Sequence, residues 1–347
     1  MSGVSKAIVQ PLLDWYDAGH RDLPWRSEPA PYRVWVSEIM LQQTRVEAVR
    51  GYFSRWMNAL PDIPALAAAD EAVYTKLWEG LGYYSRVRNL HRAAVLLCEE
   101  YGGKLPADYD RLLSLPGVGE YTAGAVASIA FGLPVPAVDG NVLRVAARLD
   151  NDFTPITDAK FKKQTRERFA ALMPSDRSGD LNQSLMELGA TVCLPNGAPR
   201  CADCPIQHLC EGFHRGNAAV LPLRAAKKAR RVENRTVLLV RCGELVGLRQ
   251  RPKKGLLAGL WELPSLDGHL SPDELRAALT EMGWSVRKLL SLRPARHIFT
   301  HVEWHMNGVY VELDTPAPAL TFVTPAELRD AYALPSAFRS FVSVLED

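Results

Sequence analysis

From residue 5 to about 215, apolar positions recur mostly three or four apart, as in AGAVASIAFGL (123–133) and VLRVAARL (142–149), with proline or glycine between segments. That spacing predicts an all-helical domain. WVSEIMLQQTRVEAV (35–49) reads as one helix whose apolar face carries Val36, Ile39, Met40 and Val46. Beyond residue 235 the period changes. RTVLLVRCGELVGLRQ offers short β-branched and leucine-rich runs about a glycine turn, SPDELRAALTEMG is helix-like and VEWHMNGVYVEL strand-like, which predicts a domain of mixed α and β. Between the two, NAAVLPLRAAKKARRVENR carries Arg224, Lys227, Lys228, Arg230 and Arg231 with no apolar face, and residues 216–234 read as a basic linker. No internal repeat stands out.

The 347 residues suffice for two cores, so two domains are expected. A net charge of +2 gives too weak a whole-molecule field to argue for nucleic acid, and any such argument must be local. No apolar run reaches the roughly 18 residues of a membrane span, and MSGVSKAIVQPLLDWYD lacks the features of a secretory signal. A soluble, cytoplasmic protein is expected.

Cys193, Cys201, Cys204 and Cys210 fall in the spacing C-x7-C-x2-C-x5-C, and the other two cysteines, Cys98 and Cys242, lie apart. Such clustering points to metal rather than to disulfides. By spacing alone, tetrahedral zinc and an iron-sulfur cubane both remain open, since each takes four thiolates. In LPGVGEYTAGAVASIA (115–130), Gly117 and Gly119 form a turn leading into a helix, where the amides would accept a phosphate; a plain connection between helices is the alternative. No Lys-Ser/Thr follows, which excludes a P-loop. Glu38 falls beside the apolar face of its helix, with Gln42 one turn on, and by itself would read as solvated. Asp139 and Asn141 precede a helix and by default would cap it.

The glycine turn, SEIMLQQT, LWEGLGYYSRVRNLHRAA (77–94), VDGNV, NQSLMELGATVC (182–193) and the cysteines occur in the order and approximate spacing of the MutY family of adenine DNA glycosylases. The chain resembles that family, part of the helix-hairpin-helix glycosylase superfamily, over nearly its whole length. The resemblance implies a multidomain protein: an all-α helix-hairpin-helix glycosylase domain over 1–215 (the hairpin about 108–130, an iron-sulfur cluster loop over 193–210) and an α+β Nudix-like domain over 235–347. It also implies a [4Fe-4S] cluster on Cys193, Cys201, Cys204 and Cys210. The family usually has six residues between the first two cysteines, whereas LPNGAPR supplies seven.

A base-excising enzyme must extrude the base, protonate it and stabilise the cationic sugar. By resemblance, Glu38 is the acid that later activates water, Asp139 the ionised stabiliser, and Tyr121 and Asn141 their orienting partners. Gln183, Arg26 and Trp25 would bind adenine. Arg21, Leu23, Gln42, Gln43, Thr44, Leu81, Tyr83, Gly117 and Gly119 would contact DNA. In the Nudix-like domain RPKKGLLAGLWELP (251–264) carries the likeness, and Phe299, Thr300 and His301 match the loop that reads 8-oxoguanine, with Thr300 where serine is common. Ala277 and Thr280 stand where a Nudix box has metal-binding glutamates, so nucleotide hydrolysis is expected to be lost.

The implied partner is duplex DNA containing A:8-oxoguanine or A:G, met by a monomer on the nucleoid, with no membrane role. A bifunctional enzyme of the endonuclease III kind would need a lysine for a Schiff base where Tyr121 stands. A noncatalytic lesion-binding module is disfavoured by the pair Glu38 and Asp139.

Overall fold

The computed structural model of the chain describes residues 4–195, 197–224 and 229–345. Its contacts form two units, residues 1–68 with 88–226 and residues 69–87 with 227–347. Lys227 and Lys228 of the expected linker, and Asn196 between the first two cysteines, lie outside the described residues.

The helical unit positions its chemistry with seven helices, numbered here in chain order: α1 (Val9–Gly19), α2 (Pro31–Leu41), α3 (Val46–Ala59), α4 (Tyr109–Leu113), α5 (Glu120–Phe131), α6 (Gly140–Leu149) and α7 (Ser178–Thr191). The helix expected over 35–49 is in fact two. Pro31 starts α2 at its first turn, and the chain leaves helical geometry after Leu41 because Gln43 adopts a left-handed φ of 57°. Gln42 is therefore the residue that ends α2, and Val46 opens α3.

Helix α2 packs on α5, and Gly124 of α5 lets the backbone before α6 come close, since a Cβ there would clash with Pro136 O. Helix α7 packs on α1, α5 and α6. Asn182 on α7 accepts from Ala137 N at 2.9 Å and donates to Ser128 Oγ at 2.8 Å and Val135 O at 2.9 Å. This one buried amide ties three segments together, and it leads the chain into α6 at a fixed place. Gly189 of α7 completes the arrangement, since a Cβ there would meet Asn141 Cβ at 2.5 Å.

The hairpin runs α4, turn, α5. Gly117 has φ 76° and a Cβ on it would come within 2.6 Å of Asn89 Cβ, so both conformation and space require glycine. Gly119 differs: it is the extended residue preceding α5, with open space around it.

The other unit holds a seven-stranded mixed sheet: β1 (Arg231–Cys242), β2 (Leu245–Gln250), β3 (Trp261–Glu262), β4 (Ser265–Asp267), β5 (Val286–Ile298), β6 (Val302–Leu313) and β7 (Thr321–Val323). Strands run β3-β2-β1-β6-β5, with β1 and β6 parallel and β5 and β6 antiparallel. Strand β1 begins inside the stretch read as linker, because pairing with β6 starts at Arg231↔Val302. The apolar run VLLV of β1 is buried on both faces. Val237 and Leu239 join Trp304, Phe338 and Phe341, while Leu238 and Val240 join Leu275 and Leu279 of the helix Pro272–Glu281. Ser271 and Glu274 form a capping box that starts this helix.

Candidate active site and thiol pocket

One cleft of the helical unit gathers side chains from the loop before α2, from α2 and the turn after it, from α5, from the start of α6 and from α7. Its walls include Arg21, Leu23, Trp25, Arg26, Glu38, Gln42, Gln43, Thr44, Tyr121, Asp139, Asn141 and Gln183. Residues spread over more than 160 positions of sequence thus face one space.

Glu38 is 5 % exposed, although it lies on a helix where a lone glutamate would read as solvated. Tyr121, in the first turn of α5, donates its hydroxyl to Glu38 Oε2 and also contacts Met186 Sδ at 3.6 Å. Burial pushes the Glu38 carboxyl up to about 7 against the pull of the Tyr121 hydrogen bond; Asp139 adds to the rise and Arg26 opposes it. Burial and the two carboxylates push the Tyr121 hydroxyl well above its ordinary range.

Asp139 caps α6, as its type and position predict, and faces the cleft as well. It accepts from the amides of Asn141 at 2.9 Å and Val142 at 2.8 Å, and from Asn141 Nδ2 at 2.7 Å. Burial raises its carboxyl, and those hydrogen bonds with the Arg144 charge oppose the rise. Arg144 is itself buried in α6 and reaches Asn141 Oδ1 at 2.8 Å, Gly189 O at 2.7 Å and Cys193 O at 2.8 Å.

Glu187 was not among the residues singled out from sequence. It is 2 % exposed on α7 and accepts from Arg21 Nε at 2.7 Å, Arg21 Nη2 at 2.9 Å and Arg26 Nη2 at 2.8 Å. Burial alone would raise its carboxyl, but the two arginines outweigh this and hold it at about 2. The signal in sequence was slight: an acid four positions after Gln183, flanked by Met186 and Leu188.

Trp25 both lines the cleft and packs edge-on against Phe53, with ring centroids 5.5 Å apart. Gln42 Nε2 donates to Thr122 Oγ1 at 3.2 Å, at the head of the turn whose exposed member is Gln43. Leu81 is buried, whereas Tyr83, two residues later with φ 48°, is 45 % exposed. In the same unit as Tyr83, residues 299–301 form the tip between β5 and β6. Phe299 lies 4.9 Å from the Trp304 ring, and Thr300 and His301 are exposed. Thr300 Oγ1 and the Tyr83 hydroxyl are 2.8 Å apart.

The four clustered cysteines line a separate pocket with Val145, Leu149 and Ile206. None is in a disulfide, and Arg148 Nη1 donates to Cys193 Sγ at 3.1 Å. Burial pushes the Cys204 thiol up to about 12 and raises those of Cys201 and Cys210. Among the described residues no three His, Cys, Asp or Glu side chains converge on a point where a single ion would bind. Nor is any described helix long and apolar enough to cross a membrane.

Residues 36–172 match the family model of the HhH-GPD superfamily base excision DNA repair proteins, and residues 236–344 match the NUDIX domain. The mouse (Mus musculus) adenine DNA glycosylase is 37% identical in an alignment covering 97% of this chain and 77% of the mouse protein. The Homo sapiens adenine DNA glycosylase is 36% identical over 92% of this chain and 70% of the human protein. Among solved structures, a thermostable thymine-DNA glycosylase superposes with TM-score 0.54 at 27% identity, covering 60% of this chain and 96% of its own. A trapped endonuclease III–DNA covalent intermediate superposes with TM-score 0.51 at 25% identity, covering 61% of this chain and 98% of its own. With its helix-hairpin-helix base-excision domain, its NUDIX domain and this degree of identity across both, the chain belongs to the adenine DNA glycosylase family.

Proposed function

We propose that this chain hydrolyses the N-glycosidic bond of adenine mispaired with 8-oxoguanine or guanine in duplex DNA, leaving an abasic site. The observation that carries the reading is the pair Glu38 and Asp139 in one cleft, the first holding its proton to about neutral pH and the second receiving three N–H donors. Adenine extruded from the stack enters the cleft against Trp25, Arg26 and Gln183. Glu38 gives its proton to a ring nitrogen as the C1′–N bond breaks, so the base leaves neutral and the bond electrons stay with it. Asp139 stabilises the positive sugar. Glu38, now a carboxylate, takes a proton from the water that adds to C1′, which restores the acid. Tyr121 and Asn141 hold the two carboxylates in place.

For the rest of the DNA we assign the flanking strand to Arg21 and Leu23 and the vacated stack to Gln42, Gln43 and Thr44, all on the cleft walls, with Leu81 and Tyr83 as further DNA contacts. A phosphate would sit at the amides following Gly117 and Gly119, where α5 begins. Phe299, Thr300 and His301 would read the oxidised base, a role supported by the exposure of Thr300 and His301 at the tip. We further propose a glycosylase domain over about 1–215 and a lesion-reading domain that opens with β1 at Arg231 instead of at 235, acting as a monomer on nucleoid DNA in the cytoplasm.

We assign a [4Fe-4S] cluster to the thiol pocket. Four thiols gathered in one pocket meet a cubane's need for four thiolates, and the resemblance to the MutY family favours the cubane over zinc. Cys193, Cys201, Cys204 and Cys210 would hold it, and it would fix the loop rather than take part in hydrolysis. Protein purified without oxygen should carry about four irons per chain; zinc in their place would refute the assignment.

Gel assays on duplexes with A opposite 8-oxoguanine test the main reading. Excision with strand breaks only after alkali, and little adduct trapped by borohydride, is expected, because Tyr121 occupies the lyase lysine's position. No excision, or a robust trapped adduct, would overturn it.

A further inference from the structure

Arg21 and Arg26 belong to a stretch between α1 and α2 that has no regular secondary structure, so its shape depends on side-chain ties. Both guanidinium groups close on one carboxylate. Glu187 Oε1 takes Arg21 Nε at 2.7 Å and the Arg21 amide at 3.2 Å, while Oε2 takes Arg21 Nη2 at 2.9 Å and Arg26 Nη2 at 2.8 Å. Arg26 Nη1 also donates to Arg21 O at 3.0 Å, and its guanidinium lies over the Tyr16 ring, 5.5 Å from the centroid. A bidentate pair of this kind is directional, and a carboxylate this buried would be an uncompensated charge without it. Nothing in the reaction proposed above uses Glu187, although it lines the same cleft as Glu38.

We propose that Glu187 is a positioning residue, which by clamping Arg21 and Arg26 sets how much positive charge Arg26 presents to Glu38, and so the pH range over which Glu38 keeps its proton. The titratable and charged groups sharing the cleft with Glu38 are Tyr121 from α5, Asp139 from the start of α6, Arg21 and Arg26 from the loop and Glu187 from α7, and of these Tyr121, Asp139 and Arg26 act on its carboxyl. Arg26 is the cation that acts on Glu38, and Glu187 is the anion that partly cancels it. Removing the Glu187 charge leaves Arg26 uncancelled, which favours ionised Glu38 and lowers the pH at which the acid is lost. Removing the Arg26 charge has the opposite sign, with Glu187 still held by Arg21.

The inference rests on Glu38 being the general acid, and the test separates the two. Single-turnover excision of adenine opposite 8-oxoguanine would be followed across pH for the wild type, Glu38→Gln, Glu187→Gln, Glu187→Asp and Arg26→Gln. The wild type should lose rate as pH rises through the Glu38 range, and Glu38→Gln should lack that rate and its inflection; an active Glu38→Gln enzyme with the same profile would overturn the reading of Glu38. Given the expected pair, Glu187→Gln should move the inflection down by about half a pH unit or more, about threefold in rate above neutrality, and Arg26→Gln should move it up. Glu187→Asp, which keeps the charge, should restore it. Unmoved inflections in both Glu187→Gln and Arg26→Gln, with only thermal stability lowered, would overturn the proposal and leave Glu187 a structural anchor. Arg26→Gln keeps the test decisive should Glu187→Gln fail to fold.

Discussion

The hydroxyl of Tyr121 donates to Oε2 of Glu38, and both groups are buried in the cleft wall. That bond stabilises the ionised carboxyl, so it works against the burial that keeps Glu38 protonated. Tyr121→Phe should therefore extend the acid plateau of the excision rate to higher pH, read in single-turnover profiles beside the wild type. A plateau that shortens instead would mean the hydroxyl serves the protonated form.

Glu38 should also cost the fold stability in alkali. Its carboxyl rises from an ordinary 4.5 to about 7, so the folded state keeps a proton that the unfolded chain has released. The stability linked to that proton is complete below about 4.5 and is lost as pH rises through about 7. Glu38→Gln should then melt higher than wild type at pH ~8, by an amount on the order of 3 kcal/mol, and little differently at pH ~4.5. Calorimetry at the two pH values checks it. Excision by the same variant should fall by about 10² to 10⁴, the usual worth of a general acid.

Arg144 joins Asn141 to the thiol loop, donating to both Asn141 Oδ1 and Cys193 O. Arg144→Met should lower excision by roughly tenfold or more through misplaced Asn141 and Asp139, and should also speed loss of iron on exposure to chelator. Measuring both in one preparation is informative, because a change in only one would break the proposed connection.

Reading of the opposite base is expected from the exposed tip. His301→Ala or Thr300→Val should reduce the preference for A:8-oxoguanine over A:G by about 1 to 3 kcal/mol, the usual worth of one good base contact. Competition between the two duplexes in one tube measures the ratio. Equal losses on both substrates would assign the tip to general DNA affinity.

How far these sites were legible in sequence depended on what kind of contact makes them. Asp139 and the start of α6 were plain, because capping is local and Asp-Gly-Asn before an apolar run signals it. Glu38 was legible only through resemblance, since nothing local distinguishes a buried helical glutamate from a solvated one. Glu187 escaped because its partners lie more than 160 positions away, and no spacing rule brings RDLPWR to α7. In VLRVAARL the helical spacing of apolar positions predicts solvated arginines, yet Arg144 and Arg148 are both buried, their guanidinium groups spent on backbone carbonyls at Cys193, Gly189, Leu194 and Leu221. The break between α2 and α3 was missed because Gln43 carries no turn signature. It holds a left-handed conformation that a side chain of its type seldom adopts, as residues at functional sites often do.

Asp139 fastens the first turn of α6 with the same carboxylate it turns toward the cleft. In the reaction proposed above, folding the helix therefore aims this carboxylate, and the work of orienting it is done once, when the chain folds, rather than at every turnover. The catalytic cycle then needs no reorganisation of that carboxylate when positive charge develops beside it. The same economy has a consequence for mutational analysis: Asp139→Ala would remove a cap worth about 1 kcal/mol along with the anion, so an inactive alanine variant confounds a loosened helix with lost electrostatics.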